Sequence, residues 1–472
     1  MLMNTVGKPL VLQQSARWLP ADMDTPISLF LGIADGGNGI LLESAEVDGR
    51  WGRYSILASD MALFISCADG NLALTIPDER LEPLKKFEGL PFVEGLRALM
   101  RCLHITPPET FPDLPPITRA LYGYLGFGMA GVFTAKLGKC MPPTEADCML
   151  ALPGTVLVFD HLYNRLCQIS LGACHPVCGA RGTSVPDTAQ HAFDTDKIFS
   201  EPSEQGYKDC VLQVKELLRQ GEAIQVVPSV RFTAPYSGNA FDLYRRMRRF
   251  NASPYMFFMR FPSLSLFGSS PEVMVRCSGG SLLLAPIAGT RKRGEDDLED
   301  SRLAAELRDD PKECAEHVML VDLGRNDLGR IARPGTVNLE RSMEVERFSH
   351  VMHLTSRVTA RLADNLDALD VLTATFPAGT VSGAPKIRAL EIIREMEGRT
   401  RGPYAGCIGW LGLDKDRVHL DMGITIRSMW ARDGKVFWQA GGGIVHDSDP
   451  ELEWEEVFNK SAIMRMVLQA EE

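Results

Sequence analysis

The sequence predicts an α+β fold of antiparallel strands mixed with helices, and three stretches carry that prediction. Residues 418–427 alternate Val418, Leu420, Met422, Ile424 and Ile426 against His419, Asp421, Gly423, Thr425 and Arg427, the period of a strand. Asp433-Gly434 follows before "KVFWQA" and supplies a two-residue hairpin turn. "GYKDCVLQVKELLRQGEA" sets Val211, Val214, Leu217 and Leu218 at helical spacing and stops at Gly221. Such a mixture points away from a doubly wound parallel sheet.

In chain order, short β-like runs such as "ALFISC", "LALTI" and "GTVLVFDHLYNRLCQISL" fill residues 8–170, separated by Pro-rich and Gly-rich turns. Residues 172–205 lack periodicity and are small and polar, which reads as an exposed connection. The helix at 206–223 and the strand-like "IQVVPSVRFTA" come next. The expected organisation is therefore an N-terminal portion at 1–171, a connection at 172–205 and a second portion at 206–472. A chain of 472 residues exceeds the usual size of one hydrophobic core, which fits two domains or one composite fold.

Bulk properties exclude several classes. The opening "MLMNTVGKPLVLQQSARWLP" has no apolar core of signal-peptide length, and no stretch approaches the roughly 20 apolar residues of a membrane helix, so a cytoplasmic protein is expected. The 11 cysteines are scattered without CxxC units, which favours reduced thiols; Cys174, His175 and Cys178 read as loop residues. A formal charge of -11 argues against nucleic acid as partner, and "RRMRRF" (245–250) reads as a solvated helix face. An anionic substrate would need local cations or a metal ion to overcome that charge.

Two helices concentrate carboxylates. In "DDPKECAEHVMLVDLGRNDLGRI", Pro311 suits a first helical turn, and Glu313 and Glu316 fall on one face. In "DSDPELEWEEVFNKSAIMRMVLQ", Ser448 or Asp449 caps, Pro450 opens the helix, and Glu453, Glu456 and Lys460 lie within about 60° of one another. Trp454, Val457, Ser461, Met464 and Leu468 form a separate packing stripe. If the two helices face each other, their carboxylates repel unless a hard cation such as magnesium joins them. Gly441, Gly442 and Gly443 leave bare backbone before the second helix, where N–H groups can approach an anion. "FPAGTVSGAPKIRALEII" offers the Thr380 hydroxyl near a helix start but lacks P-loop order. His350 and His353 would point to opposite faces of a strand; either is a candidate acid or base.

"PIAGTRKRG", "DPKECAEHVMLVDLGRNDLGRI", "VERFSHVMHLTSRV", "FPAGTVSGAPKIRALEII", "GPYAGCIGWLG", "ITIRS" and "QAGGGIVHDSDPELEWEEVFNKSAIM" occur in the order seen in chorismate-utilising enzymes. The chain resembles that family over roughly residues 205 to 468, and within it the large subunits of anthranilate synthases. The resemblance implies a large sandwich of antiparallel sheets with helices outside. It also implies a magnesium-dependent reaction of chorismate with ammonia, giving anthranilate and pyruvate. Glu316 and Glu456 match the family's magnesium ligands, with Glu313 and Glu453 beside them. Thr290, Thr380, Tyr404, Arg427, the Gly443 backbone and Lys460 match groups lining the substrate pocket. Glu272 matches the acid assisting loss of the ring hydroxyl, and His353 the histidine linked to pyruvate elimination.

Ala288 stands where relatives that add water, or aminate through a covalent adduct, usually carry lysine; alanine suits direct attack by ammonia. No segment resembles a glutaminase, so the resemblance implies a glutamine amidotransferase subunit as the ammonia source. "LLES" and "NASPYMFF" resemble the family's tryptophan-binding feedback site, with Glu43 and Ser44 meeting the amino group and Pro254, Tyr255 and Met256 closing over the indole; Ala252 replaces a frequent proline. The competing expectations are an aminodeoxychorismate or aminodeoxyisochorismate synthase large subunit, and a catalytically silent tryptophan-binding homologue.

Overall fold

The computed structural model describes residues 8–34, 36–45, 52–174, 197–348 and 351–469. Most of the expected connection at 172–205 lies outside these residues, as do His175, Cys178 and His350. The fold is a large α+β sandwich of antiparallel sheets with helices on the outside.

Among the described residues, 21 strands are linked by hydrogen bonds into one branched network with a main path through it. Its first half runs from Ser229–Pro235 through Lys435–Gly441, Ser428–Arg432, Ser265–Ser270 and Tyr255–Arg260 to Gly39–Glu43 and Tyr54–Ala68. Its second half continues through Cys148–Asp160, Ala120–Leu125, Cys407–Gly412, His419–Ile424, Val273–Ser278 and Ser281–Leu284 to Val351–Arg361. Strands from before residue 172 thus lie in the middle of the path. They pair with later strands at both joins, Glu43 opposite Met256 and Gly123 opposite Gly409.

Two connections cross from one half of the path to the other, and they position the site. Ser265–Ser270 belongs to the first half and Val273–Ser278 to the second; His419–Ile424 belongs to the second and Ser428–Arg432 to the first. The corners between them complete each other's hydrogen bonds. The Ile424 N–H donates to the Glu272 carbonyl at 2.9 Å and the Ser269 N–H to the Arg427 carbonyl at 3.1 Å. The Ser270 hydroxyl donates to the Ile424 carbonyl at 2.6 Å. The expected single strand at 418–427 therefore ends at Ile424, because the backbone must turn between sheets; Arg427 makes the turn at φ 50°, a region costly for a residue with a side chain.

The hairpin turn forms as its sequence predicts, with Asp433 and Gly434 both at positive φ. Two other expectations fail. The helix expected to run through residue 468 divides at Ser461 into Pro450–Lys460 and Ala462–Gln469. "RRMRRF" is not a solvated face: Arg246 is buried, and Arg248 turns inward onto Glu43. A pattern read along one helix cannot show that a buried carboxylate from another strand awaits it.

Behind the corners, a buried ion pair fixes three loops. Arg401, 1% exposed, donates to Glu397 at 2.7 Å and to the carbonyls of Val227 at 2.6 Å and Val381 at 3.0 Å. Burial disfavours the Glu397 charge, yet Arg401, Arg399 and Ser229 outweigh it and hold its pKa below the ordinary range. The segments carrying Gln225, Thr380 and Tyr404 are thereby tied to one point.

Candidate active site

Local capping orients the carboxylate helices. Asp310 accepts from the Lys312 and Glu313 N–H groups at 3.0 and 3.2 Å and starts Pro311–Gly329. Asp449, rather than Ser448, caps Pro450–Lys460 through Glu451 at 2.9 Å and Leu452 at 3.2 Å. Ser448 instead accepts from the Val445 N–H. Anionic caps at helix N-termini satisfy otherwise orphaned N–H groups.

The four carboxylates then part company. Glu316 accepts a hydrogen bond from Gln225 Nε2 at 3.0 Å. Glu456 is paired with Lys460 at 2.5 Å, and Lys460 also donates to the Gly441 carbonyl at 3.1 Å. Glu453 is buried, and its Oε2 has no hydrogen-bond partner. Glu313 turns toward Arg291, 3.3 Å away. Burial raises the pKa of Glu316, with Glu313 and Glu456 adding to it; burial and Glu456 likewise raise Glu453. For Glu456, burial pushes upward but Lys460, Lys312 and Arg427 prevail, so it lies below the ordinary range. Among the described residues, no three acidic, histidine or cysteine side chains form a complete metal cage.

The glycines matter at this point. A methyl group on Gly443 would come 2.6 Å from Gln225 Nε2 and 3.5 Å from Glu316 Oε1, so only glycine lets the backbone pass.

Glu272 and Arg427 occupy the two corners. Burial pushes the Glu272 carboxyl up to about 8, against weaker downward pulls from Thr380, Arg427 and Lys460. The Thr380 hydroxyl is itself buried and makes no hydrogen bond of normal geometry. Among the described residues, no side chain pairs with the Arg427 guanidinium; burial lowers its pKa, while Tyr404, Glu272 and Glu456 act on it from a distance. Tyr404 is buried with its phenol pushed up to about 12, and its hydroxyl faces Gly441, where an added methyl would come within 3.2 Å.

His353 sits in Val351–Arg361, beside Ile287–Lys292. Its Nδ1 lies 2.8 Å from the Gly289 carbonyl and 3.1 Å from the Thr290 hydroxyl. The carbonyl can only accept, so Nδ1 carries the proton and Nε2 keeps a free lone pair. Burial, together with Arg427 and Lys460, lowers its pKa despite the upward pull of Gly289, which makes the ring neutral. Ala288, 8% exposed, pairs with Leu354 one residue away from His353. The structure thus brings Glu272, Thr380, Arg427, Tyr404, Lys460, Glu456, Glu316 and His353 into one electrostatically coupled site.

The second predicted site is divided. Glu43 faces Met256 across paired strands, while Tyr255, on the opposite face, donates to Asp421 at 2.6 Å. Glu43 accepts from Tyr244 at 2.6 Å and from Arg248 at 2.9 and 2.8 Å. Ser44 follows, its carbonyl accepting from the Gly52 N–H, and the Ser253 carbonyl next to Pro254 accepts from Ala45.

Gln225 is a residue the sequence reading missed. A polar side chain inside the apolar "IQVV" was the available signal, and it is 1% exposed on the small ladder with Ala384. Gln225→Leu is expected to destabilise the protein by about 1–3 kcal/mol at neutral pH by stranding a partly buried carboxylate. The donor bonds the ionised form of Glu316 more strongly than the protonated form, and burial already raises that pKa, so the loss should shrink as pH falls through the carboxylate range. Urea denaturation at several pH values checks this; a pH-independent loss would mean that Gln225 only packs.

Residues 79–466 match the chorismate binding enzyme family. Anthranilate synthase component 1 of Pseudomonas aeruginosa is 38% identical over 474 residues, covering 96% of this chain and 94% of that protein. Its namesake from Aquifex aeolicus is 38% identical with the same coverage. The crystal structure of anthranilate synthase component I from Streptococcus pneumoniae aligns with a TM-score of 0.70 at 32% identity, over 88% of this chain and 92% of that one. The menaquinone-specific isochorismate synthase of Escherichia coli aligns with a TM-score of 0.71 at 20% identity, over 98% and 96%, which shows a common fold. The chain is a member of the chorismate binding enzyme family and stands with its anthranilate synthase component 1 proteins.

Proposed function

We propose that this chain is the synthase subunit of a cytoplasmic anthranilate synthase, converting chorismate and ammonia into anthranilate, pyruvate and water. The observation that carries this reading is a buried Glu272 that keeps its proton near neutrality and a neutral His353, both acted on by Arg427, a cation without a close partner among the described residues.

Arg427 and Lys460 offer charge-assisted hydrogen bonds to the carboxylates of chorismate, with Tyr404 and the Gly443 backbone alongside. Hydroxide is a poor leaving group, so the Glu272 proton passes to the ring hydroxyl, which departs as water while ammonia bonds to the ring. Ala288 supports this over lysine-dependent chemistry, since it adds neither base nor nucleophile where the neutral amine attacks. His353 Nε2 then takes the ring proton as the enolpyruvyl group leaves, and reprotonation of that group gives pyruvate. Thr290 holds the imidazole from its Nδ1 side.

The donor set suits magnesium. Glu316, partly buried, and Glu456, half exposed, would be its oxygen ligands, flanked by Glu313 and by the unpartnered Oε2 of buried Glu453. Magnesium is commonly held by one or two carboxylates, with substrate and water completing the octahedron. When bound it supplies charge neutralisation for a chorismate carboxylate. The component 1 designation of the relatives supports a second subunit, read here as a glutamine amidotransferase that delivers ammonia.

Tryptophan as feedback inhibitor is a second element of the proposal. It is favoured by a buried carboxylate, Glu43, held by Arg248 and Tyr244 beside Met256, Pro254 and Ser44. The effector's ammonium would compete with Arg248 for Glu43. Tyr255 reaches instead toward Asp421, on the strand that leads to Arg427.

Purified chain with chorismate, magnesium and ammonium should yield equal amounts of anthranilate and pyruvate, identified by mass and fluorescence. At fixed free ammonia the rate should fall as pH rises through about 8, where Glu272 loses the proton it donates. An aminated ring that keeps its enolpyruvyl group would favour the aminodeoxychorismate or aminodeoxyisochorismate readings, and no turnover the silent one. Ser44→Arg should raise the tryptophan concentration for half-inhibition by about tenfold or more, equivalent to ~1.4 kcal/mol of effector binding. An unshifted inhibition curve removes the feedback reading.

A further inference from the structure

Two buried polar atoms behind the carboxylates have no partner. The Tyr207 side chain is fully buried, and its hydroxyl makes no hydrogen bond. Glu453 Oε2 is in the same position, in a residue 7% exposed. Buried groups of this kind are rare in folded proteins unless water or an ion completes them. Both atoms face the same side of Gly442, where an added methyl would come 2.9 Å from Glu453 Oε2 and 3.4 Å from the Tyr207 hydroxyl. Burial raises the pKa of that phenol most, and among carboxylates Glu453 and then Glu456 add to it.

The helix that carries Tyr207 contacts the second carboxylate helix. That helix, Glu204–Arg219, is bolted to the start of Pro450–Lys460 at two points: Lys208 pairs with Glu451 at 2.5 Å, and Lys215 donates to the Ser448 carbonyl. The Tyr207 and Trp454 rings lie 6.1 Å apart. Gly442 leaves the space between the two orphaned atoms open, which a side chain would close.

We propose that Tyr207 is a positioning residue for divalent-cation binding: its hydroxyl donates through one shared water over Gly442 to Glu453 Oε2, and so fixes the orientation of that carboxylate beside Glu456. This rests on the magnesium reading above. Hydrogen bonds from outside the ligand set typically orient metal-binding carboxylates, and their loss weakens metal affinity by about 10–100-fold.

The test is Mn2+ binding to the full chain, read by electron paramagnetic resonance of the free ion, with displacement by Mg2+. Tyr207→Phe removes one oxygen and keeps the ring packed, and it should raise the Mn2+ dissociation constant by about tenfold or more. Adding Glu453→Gln to Tyr207→Phe should weaken binding no further than Glu453→Gln alone, because both variants break one bridge. Gly442→Ala, whose methyl enters the shared space, should also weaken Mn2+ binding, and wild-type affinity in that variant overturns the proposal even if Tyr207→Phe does not fold. Wild-type affinity in Tyr207→Phe, or additive losses in the double variant, overturns the proposal and leaves the magnesium reading standing. Absence of Mg2+-displaceable Mn2+ binding in the wild-type chain overturns that reading itself, and the proposal with it.

Discussion

Two strands must leave one sheet for the other at adjacent corners, and the site follows from how those corners are satisfied. A strand that changes sheets abandons its ladder, and buried backbone groups left without partners are costly. Here each corner supplies what the other lacks, through the bonds from Ile424 to Glu272 and from Ser269 to Arg427. The consequence is chemical as well as structural. The side chains of Glu272 and Arg427 are carried on loops that regular sheet pairing does not fill, close enough for their charges to act on each other.

Charge around this site is distributed rather than cancelled. Glu456 is neutralised by Lys460, Glu316 is held by an amide, Glu272 keeps its proton, and His353 gives its proton-bearing nitrogen to a carbonyl. Arg427 stays cationic without a close partner among the described residues, an arrangement that awaits an anion. A partly buried cation without a close partner is costly to maintain, so it marks function more strongly than a satisfied ion pair such as Arg401 with Glu397. The same distribution explains how an acidic protein, at -11 overall, accommodates a dianionic ligand. Lys460, Lys312 and Arg427 supply local positive charge there, enough to hold Glu456 ionised.

Much of this was legible in the sequence wherever the controlling interaction is local. The Asp433-Gly434 turn, the Asp449-Pro450 helix start and the spacing of Glu453, Glu456 and Lys460 depend on neighbours a few residues away, and they appear as read. The motif order placed Glu272, Arg427 and His353 in one site without saying how. The failures are non-local. The alternation at 418–427 continues past the point where the chain changes sheets, because Arg427 keeps the pattern while its backbone turns. Arg248 looked solvated because its partner, Glu43, lies about 200 residues earlier in a strand no helical pattern can see. Gln225 and Tyr207 sit in ordinary helix and strand contexts, and only their orphaned or paired polar atoms in the folded core set them apart.

The proposed chemistry requires that burial alone keep Glu272 protonated in the substrate-free protein. The direct measurement is its carboxyl titration, by isotope-edited infrared spectroscopy of the side-chain carbonyl with Glu272→Gln as the assignment control. The account predicts a midpoint of about 8, so that the acid is present at neutral pH. A midpoint near the ordinary glutamate value of 4.5 would mean that the group is ionised before substrate arrives, and the assignment of Glu272 as proton donor would be contradicted.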